Sequence, residues 1–208
     1  MTDNTLQLVP TRSPYLPTAP TEYDPRAFHQ LTDALRVYFN QIDSRFQQVL
    51  LGFNNYGSFL STATQTNPVG GAANAVTYDT TMENYGVYVD SVNTSRVYVV
   101  RDGVYNFQFS AQLDHTGGGS VTFFIWYAIG GTPVANSATK MVLSGPNDEK
   151  CAAWNFVTSM AAGTYFELMW SSSDTAAVLA AAAASSPVPA VPSVILTVSY
   201  MYPAGTVR

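Results

Sequence analysis

The chain has 208 residues, of which Lys, Arg, Asp and Glu make up only 11% while Phe, Trp and Tyr reach 13%. Nine cations against fourteen anions leave a net charge of −5, which excludes a basic footprint for wrapping a phosphate backbone, and 47% apolar content excludes a wholly disordered chain. The length suits one large domain or a domain with appendages, and so few charges predict that other chains cover part of its surface.

The first 23 residues read as an extended arm. The start Met1-Thr2-Asp3-Asn4-Thr5 lacks the basic end and apolar core of a secretory signal. Pro10, Pro14, Pro17 and Pro20 then forbid helix and favour an extended path. Leu6, Leu8, Val9, Tyr15 and Leu16 lie among them. Two readings stand: a solvated tail, or an anchoring arm lying in a groove of a partner, as extended peptides do.

A helix over 24–52 follows. Asp24 is a preferred N-cap and Pro25 suits the first helical position. Phe28, Leu31, Leu35, Phe39, Ile42, Phe46 and Val49 recur at spacings of three and four residues, one apolar stripe. Gly52 is the expected stop. Aromatic residues on this stripe are bulky for a two-stranded seam, so a trimer or another protein suits it better. The alternative is that the stripe docks onto the chain's own C-terminal domain.

Residues 57–205 read as all-β. Tyr105, Phe107, Phe109, Ala111 and Leu113 alternate with Val104, Asn106, Gln108, Ser110 and Gln112, the period of a strand with one buried face. Val121 to Ile129 is apolar on both faces, with Phe124, Trp126 and Ala128 on the second. Such a strand is covered on both sides, so Phe124 and Trp126 mark a candidate intersubunit strand. Further strands are predicted at 85–92, 96–101, 140–143, 151–159, 164–171 and 193–202, with glycine- and proline-bearing turns between them. The array describes a jelly-roll sandwich. The alanine run Ala180–Ala184 reads as an irregular edge or loop, with a short helix as the alternative. The longer apolar run Ala176–Ala184 is far short of the roughly 20 residues that span a bilayer.

Chemistry-bearing groups are sparse. The two histidines are His29, on the helix, and His115, whose Asp114-His115 pair reads as a turn. No serine occupies a G-x-S-x-G elbow, so no enzyme and no catalytic residue is expected. Oxygen ligands at Asn147-Asp148-Glu149 raise calcium binding, against the plainer reading of a solvated loop. No metal and no cofactor is expected. Asn84, Tyr85 and Tyr88 suit glycan binding or ordinary strand packing. Cys151, the one cysteine, precludes an intrachain disulfide and reads as a small buried residue.

Several stretches carry a resemblance. Gly103-Val104-Tyr105-Asn106-Phe107 opens one strand, Ala162-Gly163-Thr164-Tyr165-Phe166-Glu167-Leu168 a second, and Ser193-Val194-Ile195-Leu196-Thr197-Val198-Ser199-Tyr200 the last. Their order resembles the trimeric jelly roll of the tumour-necrosis-factor and complement globular-head superfamily. Ala152-Ala153-Trp154-Asn155-Phe156, Glu167-Leu168-Met169-Trp170-Ser171-Ser172-Ser173-Asp174 and the helix pieces Tyr23-Asp24-Pro25-Arg26 and Leu35-Arg36-Val37-Tyr38-Phe39-Asn40-Gln41-Ile42-Asp43 are similar to tailed-bacteriophage virion proteins. The resemblance covers about 20–208 and departs at Ala176–Ala184, usually a more polar segment. It implies a homotrimer on a virion surface, made in the host cytoplasm. Its expected partners are itself and other virion proteins, a major capsid protein or a tail component, with a host surface receptor as a further one. No nucleic acid and no membrane insertion is expected. The expected function is structural, a capsid decoration or head-surface knob; the alternative is a tail fibre or a receptor- or glycan-binding adhesion head.

Overall fold

The computed structural model describes residues 13–18, 20–52, 55–146 and 148–204, with the backbone alone over 48–52. The chain divides into two units, Met1–Phe53 and Asn54–Arg208.

In the first unit, Asp24 ends the arm and starts the helix. Its Oδ1 accepts the Arg26 N–H at 2.9 Å and its carbonyl accepts the Phe28 N–H at 3.3 Å, satisfying donors that a helix start leaves orphaned. The helix α1 runs over Pro25–Gly52. One face carries the charge, with an Asp33–Arg36 pair at 3.2 Å. On the stripe, Leu31, Leu35 and Ile42 are half-buried, while Phe28, Phe39 and Phe46 remain 60%, 58% and 61% exposed. Before the helix, residues 13–18 carry no regular structure, and Tyr15 is 91% exposed. Leu6, Leu8 and Val9, and the side chain of Val49, lie outside the described residues.

The second unit is the jelly roll. Its strands are Tyr56–Ser61 (β1), Gln65–Thr66 (β2), Asn74–Ala75 (β3), Thr80–Tyr85 (β4), Val87–Val89 (β5), Val97–Val99 (β6) and Gly103–His115 (β7). Then come Val121–Ile129 (β8), Thr132–Pro133 (β9), Thr139–Leu143 (β10), Asp148–Met160 (β11), Tyr165–Ser172 (β12), Ala177–Leu179 (β13) and Val194–Tyr202 (β14). One sheet has the order β2-β13-β7-β14-β1-β4, with β11 on the other edge of β7. The second has the order β10-β8-β12-β6-β5, with β3 beside β12 and β9 beside β8.

The two-residue period of β7 does what it predicts. Tyr105, Phe107, Phe109, Ala111 and Leu113 all point into the core, and their polar alternates do not. Phe107 stacks on Phe166 of β12 across the sandwich, centroids 4.0 Å apart and planes within 5°. Tyr127 of β8 meets Phe156 of β11 at 4.6 Å in a second cross-sheet contact. Gly130 and Gly131, with φ of 57° and 80°, turn β8 back into β9 in a conformation that side chains with a Cβ resist.

Several expectations need correction. The run predicted over 85–92 is broken at Gly86 (φ 67°), where an added Cβ would lie 2.5 Å from the Asn55 side chain; β4 ends before it and β5 follows. The predicted strand over 96–101 narrows to β6. Asp114-His115 is not a turn but the end of β7, where His115 is buried among the core strands. Asp148 and Glu149 are not loop residues but open β11, paired with His115 and Asp114; Asn147 lies outside the described residues. Cys151 is exposed rather than buried, because the pleat turns Ala152 inward. The Ala180–Ala184 run is irregular, as the first of its two readings has it, tied by the bridges Ala182–Val191 and Ser185–Val188; β13, just before it, is a strand that the sequence reading did not place.

Candidate functional site

Three sets of residues are candidates for a site. The first is a titratable constellation. His115 Nε2 lies 3.1 Å from Asp174 Oδ2. The Ala176 N–H, donating to Asp174 Oδ1 at 3.0 Å, and then His115 hold the Asp174 carboxyl below the usual range. The other imidazole nitrogen, Nδ1, is buried and meets no partner. The neighbouring hydroxyls are spent on the fold: Ser172 Oγ accepts the Asp174 N–H and Ser173 Oγ the Thr122 N–H. Asn67, which the sequence reading missed, is nearly fully buried. Its Nδ2 donates to the carbonyls of Ser172 and Asp174, and its Oδ1 accepts from Asn74 at 2.8 Å. Together these groups pin the β12–β13 loop against the end of β7. Among the described residues the imidazole's hydrogen-bond partner is Asp174, and the arrangement orders a loop.

The second is a cation site. The Asp148 carboxylate accepts the Ser144 N–H at 2.7 Å and lies 3.5 Å from Lys150 Nζ. Those contacts hold its pKa down, the backbone bond foremost. Among the described residues, no group of three or more His, Cys, Asp or Glu side chains is placed to share a metal ion. No described helix is long and apolar enough to cross a membrane.

The third is a set of surfaces. On the outer face of the second sheet, Phe124 stands between Lys140 and Ser171, and Trp126 stands beside Met169. Phe124 is 40% exposed and Trp126 half-buried, so the head alone leaves this apolar face uncovered. Further along, Tyr88 stacks on Tyr98 at 5.5 Å, Tyr98 meets Tyr165 at 5.3 Å, and the Arg96 guanidinium sits 4.7 Å over the Tyr165 ring. Glu167 Oε1 closes that cluster, accepting from Ser95 Oγ at 2.9 Å. Tyr85 and Tyr88 are exposed, and Asn84 spends its Nδ2 on the Val87 carbonyl. On α1, the three large aromatic side chains of the stripe stand in the open. What these residues offer is apolar contact area.

No family model matches the chain, and no curated protein matches it. Among solved structures it is similar to the globular domain of zebrafish complement 1qA protein, at 12% identity over 72% of this chain and 99% of that one, with a TM-score of 0.46.

Proposed function

We propose that this chain is a non-enzymatic structural protein of a phage particle, a homotrimer on the virion surface anchored by its N-terminal arm. Within that class it acts as a capsid decoration or head-surface knob. The observation that carries the reading is the contrast between the two units. The jelly roll buries a closed aromatic core, whereas α1 keeps Phe28, Phe39 and Phe46 exposed and the arm holds out Tyr15 and Leu16. Large apolar side chains grouped on one helical face mark an interaction surface. Each contributes about 1.5–3 kcal/mol once covered, before the costs of ordering and association. Three arms joined through one trimer reinforce one another, because the first to bind holds the others at high effective concentration. The stretches similar to tailed-bacteriophage virion proteins supply the particle, and the length of one helix, about 40 Å at 1.5 Å per residue, favours a knob over a fibre.

Removing residues 1–22 tests this directly. The truncated chain is expected to leave the particle while its head stays folded, read by its presence in purified particles and by its own melting curve. Full retention of the truncated chain on particles contradicts the anchoring role.

The second reading, an adhesion head that binds a host receptor or glycan, draws on the exposed tyrosines Tyr85 and Tyr88. It predicts that the isolated head adsorbs to host cells and competes with infection.

A further inference from the structure

The edge of a sheet offers unpaired main-chain groups to any strand that reaches it, and folded proteins protect their edges. Most edges of this head follow that rule. On the first sheet, β4 has six residues and its pairing with β1 slips between Ser58 and Phe59. On the second, β5 has three residues, and β10 has five with Lys140 among them. β11 is different. It has 13 residues, pairs with β7 at every one without a shift of register, and has no strand on its other side among the described residues. From Cys151 to Met160 it contains no charge, no proline and no glycine.

The core is also open along this edge. Trp154 and Phe156 turn inward, onto Phe109 and Tyr127, yet both remain half-buried. A groove of about 340 Å³ lies beside them, with residues 134–139 as one wall and Trp154, Asn155, Phe156 and Val157 as the other. Successive residues of a strand point to opposite faces, so a groove that meets four in a row follows the strand's edge. The 134–139 wall turns on itself, the Val134 N–H going to Tyr127 and the Ser137 N–H to Val134.

These features define what fits. The backbone of an occupant must be extended, because only a strand matches a row of alternating N–H and C=O groups. Its inward side chains must be apolar to close the gap over Trp154 and Phe156, and a charge would find no counter-ion along 151–160. The wall at 134–139 leaves room for one chain beside β11, whereas the edge of a second sandwich brings a wall of its own into that space.

We infer that β11 is a docking edge for an extended, uncharged segment of a partner protein, which adds as a strand and lays a large apolar side chain in the groove beside Trp154 and Phe156. The inference stands apart from the trimer and the arm. Hydrogen exchange on the full chain tests it. The probe is a synthetic peptide copying Tyr105–Leu113, the uncharged alternating segment of β7 that β11 already accepts on its other side. In the free chain about half of the amides over 151–160, those turned away from β7, are expected to exchange fast. Peptide at about millimolar concentration is expected to slow those amides and no others in the head, and a scrambled peptide of the same composition is expected to leave them fast. Ala138 is exposed on the groove's wall. Ala138→Trp is expected to weaken peptide binding about tenfold or more by filling the groove, with an unchanged melting curve, while Ala138→Ser retains binding. Protection that is absent, that falls elsewhere in the head, or that the scrambled peptide reproduces overturns the proposal. Unchanged binding by Ala138→Trp overturns the seating in the groove. Amides over 151–160 that are all slow before peptide is added also overturn it, and give the edge to a second copy of the chain.

Discussion

At the scale of single residues, the fold rests on a few large side chains and one buried polar cluster. Phe107 is fully buried and stacked flat on Phe166, so it joins the two sheets at their centre. Phe107→Ala is expected to destabilise the head by about 3–5 kcal/mol, measured by chemical denaturation, with no direct change at α1. Acid acts through the carboxylates. Asp90, Asp148 and Asp174 all have lowered pKa values, each held down first by a backbone N–H. A depressed folded-state pKa contributes stability that is present above the unfolded value and lost as pH falls through the folded one. The head is therefore expected to lose melting temperature steadily below about pH 4. Asp174→Asn should lower Tm at neutral pH and flatten that acid slope, read from melting curves across pH. An unchanged slope would mean that the loop is held by Asn67 alone.

At the scale of elements, what the sequence reveals depends on how many turns of a period each element offers. The alternation along β7 and the stripe along α1 extend over many residues, so both were legible, as were the two apolar faces of β8. β2, β3 and β13 have two or three residues each, too short to show any period, and pairing with distant strands creates them. Gly86, legible as a turn glycine, interrupts the run predicted over 85–92, whereas the side chain that leaves no room for a Cβ there, Asn55, lies far back in the chain. His115 was misplaced for the same kind of reason: its partner Asp174 is 59 residues away. Cys151 sits beside two alanines that suit either face of a sheet, so composition alone does not assign its side. The helix supports a prediction of its own. Leu35→Asp or Ile42→Asp places a carboxylate in the apolar stripe, and burying it unpaired is costly. Either variant is expected to abolish association while circular dichroism still reports helix and the head melts normally. Unchanged mass and particle binding in both would mean that the stripe contacts nothing.

At the scale of the whole molecule, the two units differ in what they bury. The jelly roll closes its own core and presents loops and an uncovered face at Phe124 and Trp126. Among the described residues of the first unit, Tyr15, Leu16, Phe28, Phe39 and Phe46 are exposed. A chain with charges at only 11% of its positions has little else with which to keep such surfaces in water, and the self-association proposed above would cover them. The stripe on α1 was legible as a period, while titratable groups were legible only as sparse; which carboxylates accept backbone N–H groups, as Asp90, Asp148 and Asp174 do, depends on turns that composition does not show. The most direct test is the mass of the full chain in solution at about micromolar concentration, by sedimentation equilibrium or native mass spectrometry. The expected result is a particle three times the chain's 22.5 kDa. A folded, helical species that stays at 22.5 kDa across that range contradicts the account.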